Sequence, residues 1–191
     1  MRIAIDAMGG DHAPGEIIAG TLEARKVLGS EDELVLIGDE DIIKAKLREL
    51  GTDPNTFHIF HAPDQIGMDE SPVEALRRKP KSSIAIMARA ASHRQVEAVL
   101  SAGNTGACVA GCQLRMRNLE GVLRPGIAVV FPTFYGPVTI CDVGANIACK
   151  PVNLYQYAVM SSIYAQKMLN IDNPRVGLMN IGEEDAKGND L

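Results

Sequence analysis

The sequence predicts an α/β protein whose sheet is mostly parallel. Short apolar runs rich in β-branched residues alternate with longer segments of helical pattern along the 191 residues, as they do in consecutive βαβ units. The chain has no Trp and only 4% aromatic residues, so Ile, Val, Leu, Ala and Met must build its core. Such a core is typical of parallel strands that helices cover on both faces. Because no repeat or convincing linker divides the chain, we expect a single α/β domain over residues 1–191.

The first part of the chain predicts three strands and two helices. Pro14 is placed to open the first helix, and Gly51 is placed to stop the second. The apolar face of the first helix is expected to comprise Ile17, Ile18, Leu22 and Val27. The five elements are expected at residues 2–6, 14–28, 34–37, 41–50 and 58–62.

The remainder of the chain continues the alternation. Ser71, Pro72 and Glu74 form a capping-box pattern with proline at the first helical position. A later helix begins with nearly all small residues, which implies close packing. Helices are expected from Ser71, from Ser82 or Ser83 to Arg94, and over residues 105–117 and 151–169, with strands at 96–101, 127–131, 138–141 and 175–180.

Four of the predicted strands end alike, each with a polar side chain followed within four residues by glycine. Asp6, Ser101, Asp142 and Asn180 are the four polar residues. Ligands of open α/β sheets bind beyond the carboxyl ends of the strands. One such loop alone is better explained as a turn, but four together favour a ligand site. Its expected pocket residues are Asp6, Gly9, Gly10, Asp11, Asp142, Asn180 and Glu183.

The loop SAGNTGA at 101–107 has the composition of a phosphate cradle, although the same composition also makes an ordinary tight turn. Its glycines let the backbone approach a ligand, and a helix start stabilises an anion by about 0.3–2 kcal/mol. Neither GxGxxG nor the P-loop pattern is present, which argues against a standard nucleotide site. The expected phosphate-binding residues are Ser101, Gly103, Asn104, Thr105 and Gly106.

Further donors are expected near this loop. Lys150 and His12 are the nearest candidates by position, and His12 could instead be a general base or merely a helix cap. Asp6, Asp11 and Asp142 carry the oxygen ligands that Mg²⁺ takes, but no ligand spacing demands a metal. We therefore predict neither a metal nor a cofactor.

Charge and cysteine content exclude several classes of protein. The net charge of −5 argues against a nucleic-acid partner. The four cysteines lack the spacing of a zinc site, so we interpret them as reduced, half-buried thiols of a cytoplasmic protein. No signal peptide or membrane-spanning run is evident, and peripheral membrane contact stays open. The basic residues Arg77, Arg78 and Lys79 are either a solvated face or a docking surface for an acidic partner.

Five ordered motifs resemble those of the PlsX family of phosphate acyltransferases in bacterial phospholipid synthesis. These are DAMGGDHAP at 6–14, MDESPVEALRRK at 68–79, SAGNTGA at 101–107, DVGAN at 142–146 with CKP at 149–151, and RVGLMNIGEE at 175–184. The resemblance covers the whole chain. Members of that family usually continue beyond the final GND, so about two-fifths of the usual length is expected to be missing, and Asp190 stands where Glu is expected.

The resemblance implies a three-layer α/β/α Rossmann-like fold similar to that of phosphotransacetylases and isopropylmalate dehydrogenases. It implies a cytoplasmic homodimer that makes acyl phosphate from acyl-acyl carrier protein and inorganic phosphate. It also implies peripheral association with the membrane, where a downstream membrane acyltransferase uses the acyl phosphate. On this interpretation Arg77, Arg78 and Lys79 dock the carrier protein, and Asn146, Lys150 or His12 stabilises the developing oxyanion as the catalytic group.

Other functions are compatible with the same residues. A phosphotransacetylase would use acyl-coenzyme A as donor, and a metal-dependent dehydrogenase would require Mg²⁺ and nicotinamide. A protein of a different class would recruit lipid-synthesis enzymes to the membrane without catalysis. Phosphate-dependent turnover with each donor, and liposome binding without turnover, distinguish these functions.

Overall fold

The computed structural model describes residues 1–146 and 148–180. These residues form two compact units, one over Met1–Arg117 and one from Asn118 onward. The expectation of a single domain over the whole chain stays a prediction. No described helix combines the length and the apolar character that crossing a bilayer would require.

The first unit contains a four-stranded, all-parallel sheet with helices against it, which confirms the predicted α/β class. Its strands follow the order β3-β2-β1-β4. The elements of this unit, in chain order, are β1 (Arg2–Asp6), α1 (Gly15–Arg25), β2 (Glu33–Gly38), α2 (Glu40–Glu49), β3 (His58–His61), α3 (Pro72–Arg78), α4 (Ser83–Ser92), β4 (Ala98–Leu100) and α5 (Thr105–Met116).

Two apolar layers enclose the sheet because side chains alternate between its faces. Ile5 and Leu36 pack with Ile18 of α1 and Leu47 of α2 on one face. On the other face, Ala4 and Ile37 pack with Ile86, Met87 and Ala90 of α4. The layers are therefore helix, sheet and helix, as the family resemblance implies.

The second unit consists of an antiparallel hairpin and a long helix. Strands β5 (Ala128–Thr133) and β6 (Gly136–Cys141) pair from Ala128 opposite Cys141 to Thr133 opposite Gly136. Helix α6 (Pro151–Met168) packs against β6 and buries Tyr157 to 1% exposure. Both predicted strands exist here, but they form their own two-stranded sheet and do not extend the parallel one.

Three local predictions were wrong. Residues 175–180 are irregular backbone, and Val176, Leu178 and Met179 are mostly exposed. An apolar run forms a strand only where another strand completes its ladder. Val27 lies beyond the end of α1 and is 85% exposed. Ser71 is the N-cap of α3, as predicted, but its side chain makes no capping hydrogen bond.

Candidate functional site

The carboxyl ends of β1 and β4 lie side by side in the first unit. Ile5 pairs with Leu100 in the parallel register, so the next residues, Asp6 and Ser101, are brought together. The Ser101 hydroxyl donates to Oδ2 of Asp6 at 2.7 Å, and Asp6 is only 1% exposed. The chain passes from β1 to β2 on one side and later returns to β4 on the other. This position is therefore the topological switch point, where open α/β sheets bind ligands.

The two loops that leave these strands touch through glycines. A Cβ atom at Gly9 would lie 2.5 Å from Oδ2 of Asp6 and 2.8 Å from the backbone nitrogen of Gly103. A Cβ atom at Gly103 would lie 3.1 Å from Cα of Gly9. The backbones approach this closely only because neither residue has a side chain. Gly9, predicted for the pocket, and Gly103, predicted to bind phosphate, thus form the floor of the candidate site.

Helix α5 begins two residues after Gly103, and its first two N–H groups donate to no residue that the structure describes. Thr105 and Gly106 are exposed, and as the first two residues of the helix their N–H groups have no intrahelical acceptor. The Gly103 N–H, in contrast, donates to the Ser101 hydroxyl oxygen at 3.1 Å. Of the predicted phosphate-binding residues, Thr105 and Gly106 offer the donors that an anion could reach.

Asn104 holds the loop together through both atoms of its side-chain amide. Its Oδ1 accepts from the Ala107 N–H at 2.9 Å and caps α5. Its Nδ2 donates to the carbonyl oxygens of Gly67, Met68 and Glu70 at 3.0–3.3 Å. We call residues 64–71 the strap. Because Asn104 is buried and its amide is occupied, it fixes the loop and the strap and is not itself placed to donate to an anion.

The remaining predicted pocket residues of the first unit lie in the β1–α1 loop. Gly10 has φ of +109°, and a Cβ atom there would be 3.2 Å from the Ala102 carbonyl oxygen. Asp11 and His12 are exposed. His12 accepts the Glu16 N–H through its carbonyl at 3.1 Å, so its backbone helps α1 to start while its imidazole is left exposed.

The basic residues at the end of α3 have different environments. Lys79 forms an ion pair with Glu70 and donates to the Gln65 carbonyl at 2.7 Å. Arg78 reaches Glu70 at 3.3 Å. Arg77 is exposed and forms no ion pair with any residue that the structure describes. Arg77 is therefore the member of the predicted docking set whose charge is free. The Lys79 ammonium, followed by the Gly67 N–H, holds the pKa of Glu70 below its ordinary value.

Asp142 organises the loop after β6 in the second unit. Its carboxylate accepts the backbone N–H groups of Ile127, Ala145 and Asn146 at 2.7–3.2 Å. Burial alone would raise the pKa of Asp142, but these N–H groups outweigh burial and hold that pKa below its ordinary value. Asp142 is thus an ionised residue that shapes a loop.

Asn146 is tied into the same loop. Its Nδ2 donates to the Pro125 carbonyl at 2.8 Å and to the Tyr157 hydroxyl at 2.9 Å. Burial, followed by nearby Cys149 and Asp142, raises the pKa of Tyr157 to about 12, so its phenol stays protonated at neutral pH. Sequence reasoning did not single out Tyr157 because it looks like one apolar position among many in a helix.

The predicted site residues toward the end of the chain differ in their environments. Lys150 caps α6 with its backbone, donating its N–H to Oδ1 of Asn153 at 2.9 Å, and its side chain is exposed. Asn180 is exposed and lies in irregular backbone. Glu183 lies outside the described residues, as does Asp190. His12 and Lys150 are therefore the predicted catalytic groups whose side chains are solvent-accessible.

The structure describes four free, half-buried cysteines, as predicted. On α5, the hydrogen bond from the Cys108 thiol lowers the pKa of Cys112 to about 7. Among residues 1–146 and 148–180, no three His, Cys, Asp or Glu side chains gather in a way that could hold a metal ion.

Replacing Asp142 with alanine should lower the free energy of unfolding of the second unit by about 1–3 kcal/mol, because three backbone donors lose a charged acceptor. Urea unfolding followed by tyrosine fluorescence measures this, since all four tyrosines lie between residues 135 and 164. Asp172→Ala is the matched control because Asp172 is exposed. Equal free energies of unfolding for the two variants would contradict the loop-organising role of Asp142.

The same carboxylate predicts the pH dependence of this stability. A folded pKa below the unfolded value of 3.8 means that folding favours the ionised form. The contribution is fully present above the unfolded pKa and is lost as pH falls through the folded pKa. The difference in unfolding free energy between the wild type and Asp142→Ala should therefore shrink below about pH 4.

Comparisons with known proteins support the resemblance inferred from the motifs. The model of a family described as "Fatty acid synthesis protein" matches residues 1–191. A protein of Nostoc punctiforme named phosphate acyltransferase is 50% identical over 192 residues. Proteins of the same name from Heliobacterium modesticaldum and Thermoanaerobacterium thermosaccharolyticum are 47% and 44% identical.

The comparisons differ in how much of each protein they cover. Each alignment includes all of this chain but only 56–57% of the relative. The chain therefore spans little more than half the length of these curated relatives.

Proposed function

The chain belongs to the family of fatty acid synthesis proteins, and on that premise we propose that it serves in acyl transfer to phosphate in bacterial fatty acid and phospholipid synthesis. The acyl donor is acyl-acyl carrier protein, the acceptor is inorganic phosphate and the product is acyl phosphate. The proposal depends on one observation. The loops after β1 and β4 touch through Gly9 and Gly103 at the switch point, and the N–H groups of Thr105 and Gly106 follow at the start of α5.

The site suits phosphate because the ligand needs donors more than it needs a base. Inorganic phosphate at neutral pH is already an anion and a nucleophile. The N–H groups of Thr105 and Gly106, the Thr105 hydroxyl and the start of α5 supply donors and a favourable dipole. Gly9 and Gly103 let the two loops that carry the site approach each other closely. Residues of the loop hold phosphate, and Asn104 keeps the loop in shape.

The reaction is a displacement at the thioester carbonyl. A phosphate oxygen attacks the carbonyl carbon, and the carbonyl oxygen becomes an oxyanion. The carbon–sulfur bond then breaks, and the carrier thiolate leaves and takes a proton from solvent. Holding the two reactants in line supplies on the order of 7–11 kcal/mol. His12, which lies in the same unit as the phosphate loop, donates to the oxyanion. In the second unit, Asn146, whose amide is occupied, supports the loop between Asp142 and α6.

Several wider properties belong to the same proposal. The protein acts as a homodimer at the cytoplasmic face of the membrane, to which it binds peripherally. A membrane acyltransferase consumes the acyl phosphate. The carrier protein docks on α3, where the Arg77 side chain is exposed.

Acyl phosphate formation by the chain tests the proposal. The chain is incubated with acyl-acyl carrier protein and phosphate, and hydroxylamine traps the acyl phosphate as a hydroxamate. Product that depends on phosphate supports the proposal, and the Nostoc punctiforme relative serves as the positive control. Product formed from acyl-coenzyme A but not from the carrier protein would contradict the proposed donor. Consumption of donor at the same rate without phosphate would contradict the proposed reaction.

Charge reversal at Arg77 should weaken binding of an acidic carrier protein about threefold or more, because steering depends on exposed charge. Arg48→Glu is the matched control, since Arg48 is exposed on α2. Titration of each variant with carrier protein at low and physiological salt measures the dissociation constant. Equal weakening by both substitutions would mean that net charge, and not a docking surface on α3, governs the encounter.

A further inference from the structure

Glu70 of the strap connects two elements that sequence reasoning treated separately. Its Oε1 accepts the Gly67 N–H at 2.8 Å and also the Lys79 ammonium. Its Oε2 accepts from Arg78 at 3.3 Å. The side chain of Glu70 is 20% exposed and that of Lys79 is 34% exposed. The carboxylate therefore anchors the strap to the end of α3.

The backbone of the same residue reaches the phosphate loop. The carbonyl oxygen of Glu70 accepts Nδ2 of Asn104 at 3.0 Å. Asn104 uses its other amide atom to cap α5 at Ala107. One residue thus contacts α3 through its side chain and the start of α5 through its backbone.

Apolar residues pack against the neighbouring elements on both sides of Glu70 in the sequence. Ile66 is 3% exposed and packs with Ala75, Ile84 and Ala107. Beyond the strap, a Cβ atom at Gly106 would lie 2.7 Å from Cγ of Pro72. Ile66 of the strap and Pro72 of α3 thus both pack against the first turn of α5, so a shift of the strap is transmitted to that turn.

We propose that Glu70 is a positioning residue for the phosphate loop: Lys79 anchors its carboxylate, and its carbonyl holds Asn104 in the orientation that fixes the first turn of α5. Glu70 does not touch the anion. The ligand concerned is inorganic phosphate, so this role rests on the proposed function. Loss of the anchor lets the strap shift, and the donors of Thr105 and Gly106 then lose their alignment.

Four variants test this role. Glu70→Gln keeps the size of the side chain and removes its charge, and Lys79→Met removes the anchor. Lys79→Arg changes the side chain but keeps its positive charge. Glu74→Gln is the matched control, because Glu74 is exposed on α3 and forms no ion pair with the described residues. Each variant is titrated with inorganic phosphate, observed by ³¹P NMR, and the amide exchange of Ala107 is measured in parallel.

The expected result is specific to the anchored pair. Glu70→Gln and Lys79→Met should weaken phosphate binding about twofold to fivefold, the range that a partly exposed ion pair supplies. In both variants the Ala107 amide should exchange faster. Lys79→Arg and Glu74→Gln should resemble the wild type in both measurements.

Phosphate affinity and Ala107 exchange that are equal in all variants would overturn the role of Glu70. If the wild-type chain binds no phosphate, the proposed function fails, and the exchange data still decide the inference. Faster Ala107 exchange only in Glu70→Gln and Lys79→Met would then support the positioning of α5. Equal exchange would overturn it.

Discussion

Replacing Gly9 with alanine should lower the free energy of unfolding by about 1–3 kcal/mol and weaken phosphate binding by about tenfold or more. The new Cβ atom would lie 2.5 Å from Oδ2 of Asp6 and 2.8 Å from the Gly103 nitrogen. Neither neighbour can yield easily, because Asp6 is buried against Ser101 and Gly103 is backbone. The two loops must separate, and the floor of the site is lost. Urea unfolding and a phosphate titration measure the two effects.

Gly20→Ala is the control for this substitution. Gly20 lies within α1, and a Cβ atom there would meet nothing within 4 Å. Alanine in an exposed helix interior is favoured over glycine by about 1 kcal/mol, so this variant should be slightly more stable and should bind phosphate normally. Gly9→Ala with wild-type stability and affinity would show that the loops do not need their close approach.

Replacing Asn104 with alanine should lower the free energy of unfolding of the first unit by about 2–4 kcal/mol. The change removes the cap of α5 and leaves three strap carbonyls without their shared donor. Phosphate-dependent acyl release, or phosphate affinity where turnover is absent, should fall sharply. Amide exchange of Gly67 and Glu70, which hydrogen-bond within the strap, reports the strap directly.

Asn104→Asp separates the two roles of the amide. Aspartate can still cap α5, but it cannot donate to the strap carbonyls and it turns a carboxylate oxygen toward them. We expect faster exchange of Gly67 and Glu70 in this variant. Exchange of Ala107 should lie between that of the wild type and that of Asn104→Ala, because the cap is kept but the strap no longer orients it. If Asn104→Ala left phosphate kinetics and affinity unchanged, Asn104 would have no part in the site.

Much of the fold follows from local patterns in the sequence. The run from Arg2 to Asp6 and the run from Leu34 to Ile37 are buried strands because their apolar residues serve both faces of a parallel sheet. Ser82 and Asn104 cap helices as their residue types suggest. Which sheet a strand joins depends on contacts with residues that are distant in the sequence. The sequence therefore did not reveal that β6 pairs with β5 in a hairpin separate from the parallel sheet.

The candidate site was only partly predictable for the same reason. A polar residue followed by glycine at two strand ends correctly indicated the loops that meet at Asp6 and Ser101. The contacts of Asn104 with the strap, however, join residues 34 to 37 positions apart. No spacing rule shows that an expected phosphate ligand is occupied by backbone carbonyls. Likewise, a basic run does not show that Glu70 pairs with Lys79 and Arg78 and not with Arg77.

Titration of the ¹⁵N-labelled chain with inorganic phosphate most directly tests the claim that the loop at 101–107 holds phosphate. Amide NMR shifts are followed at constant ionic strength, with chloride as the reference salt. We predict saturable shifts of the Thr105 and Gly106 amides, the two free donors at the start of α5, and their loss in Gly9→Ala. Shifts that are absent, that do not saturate, or that chloride reproduces at these two amides would contradict the phosphate site.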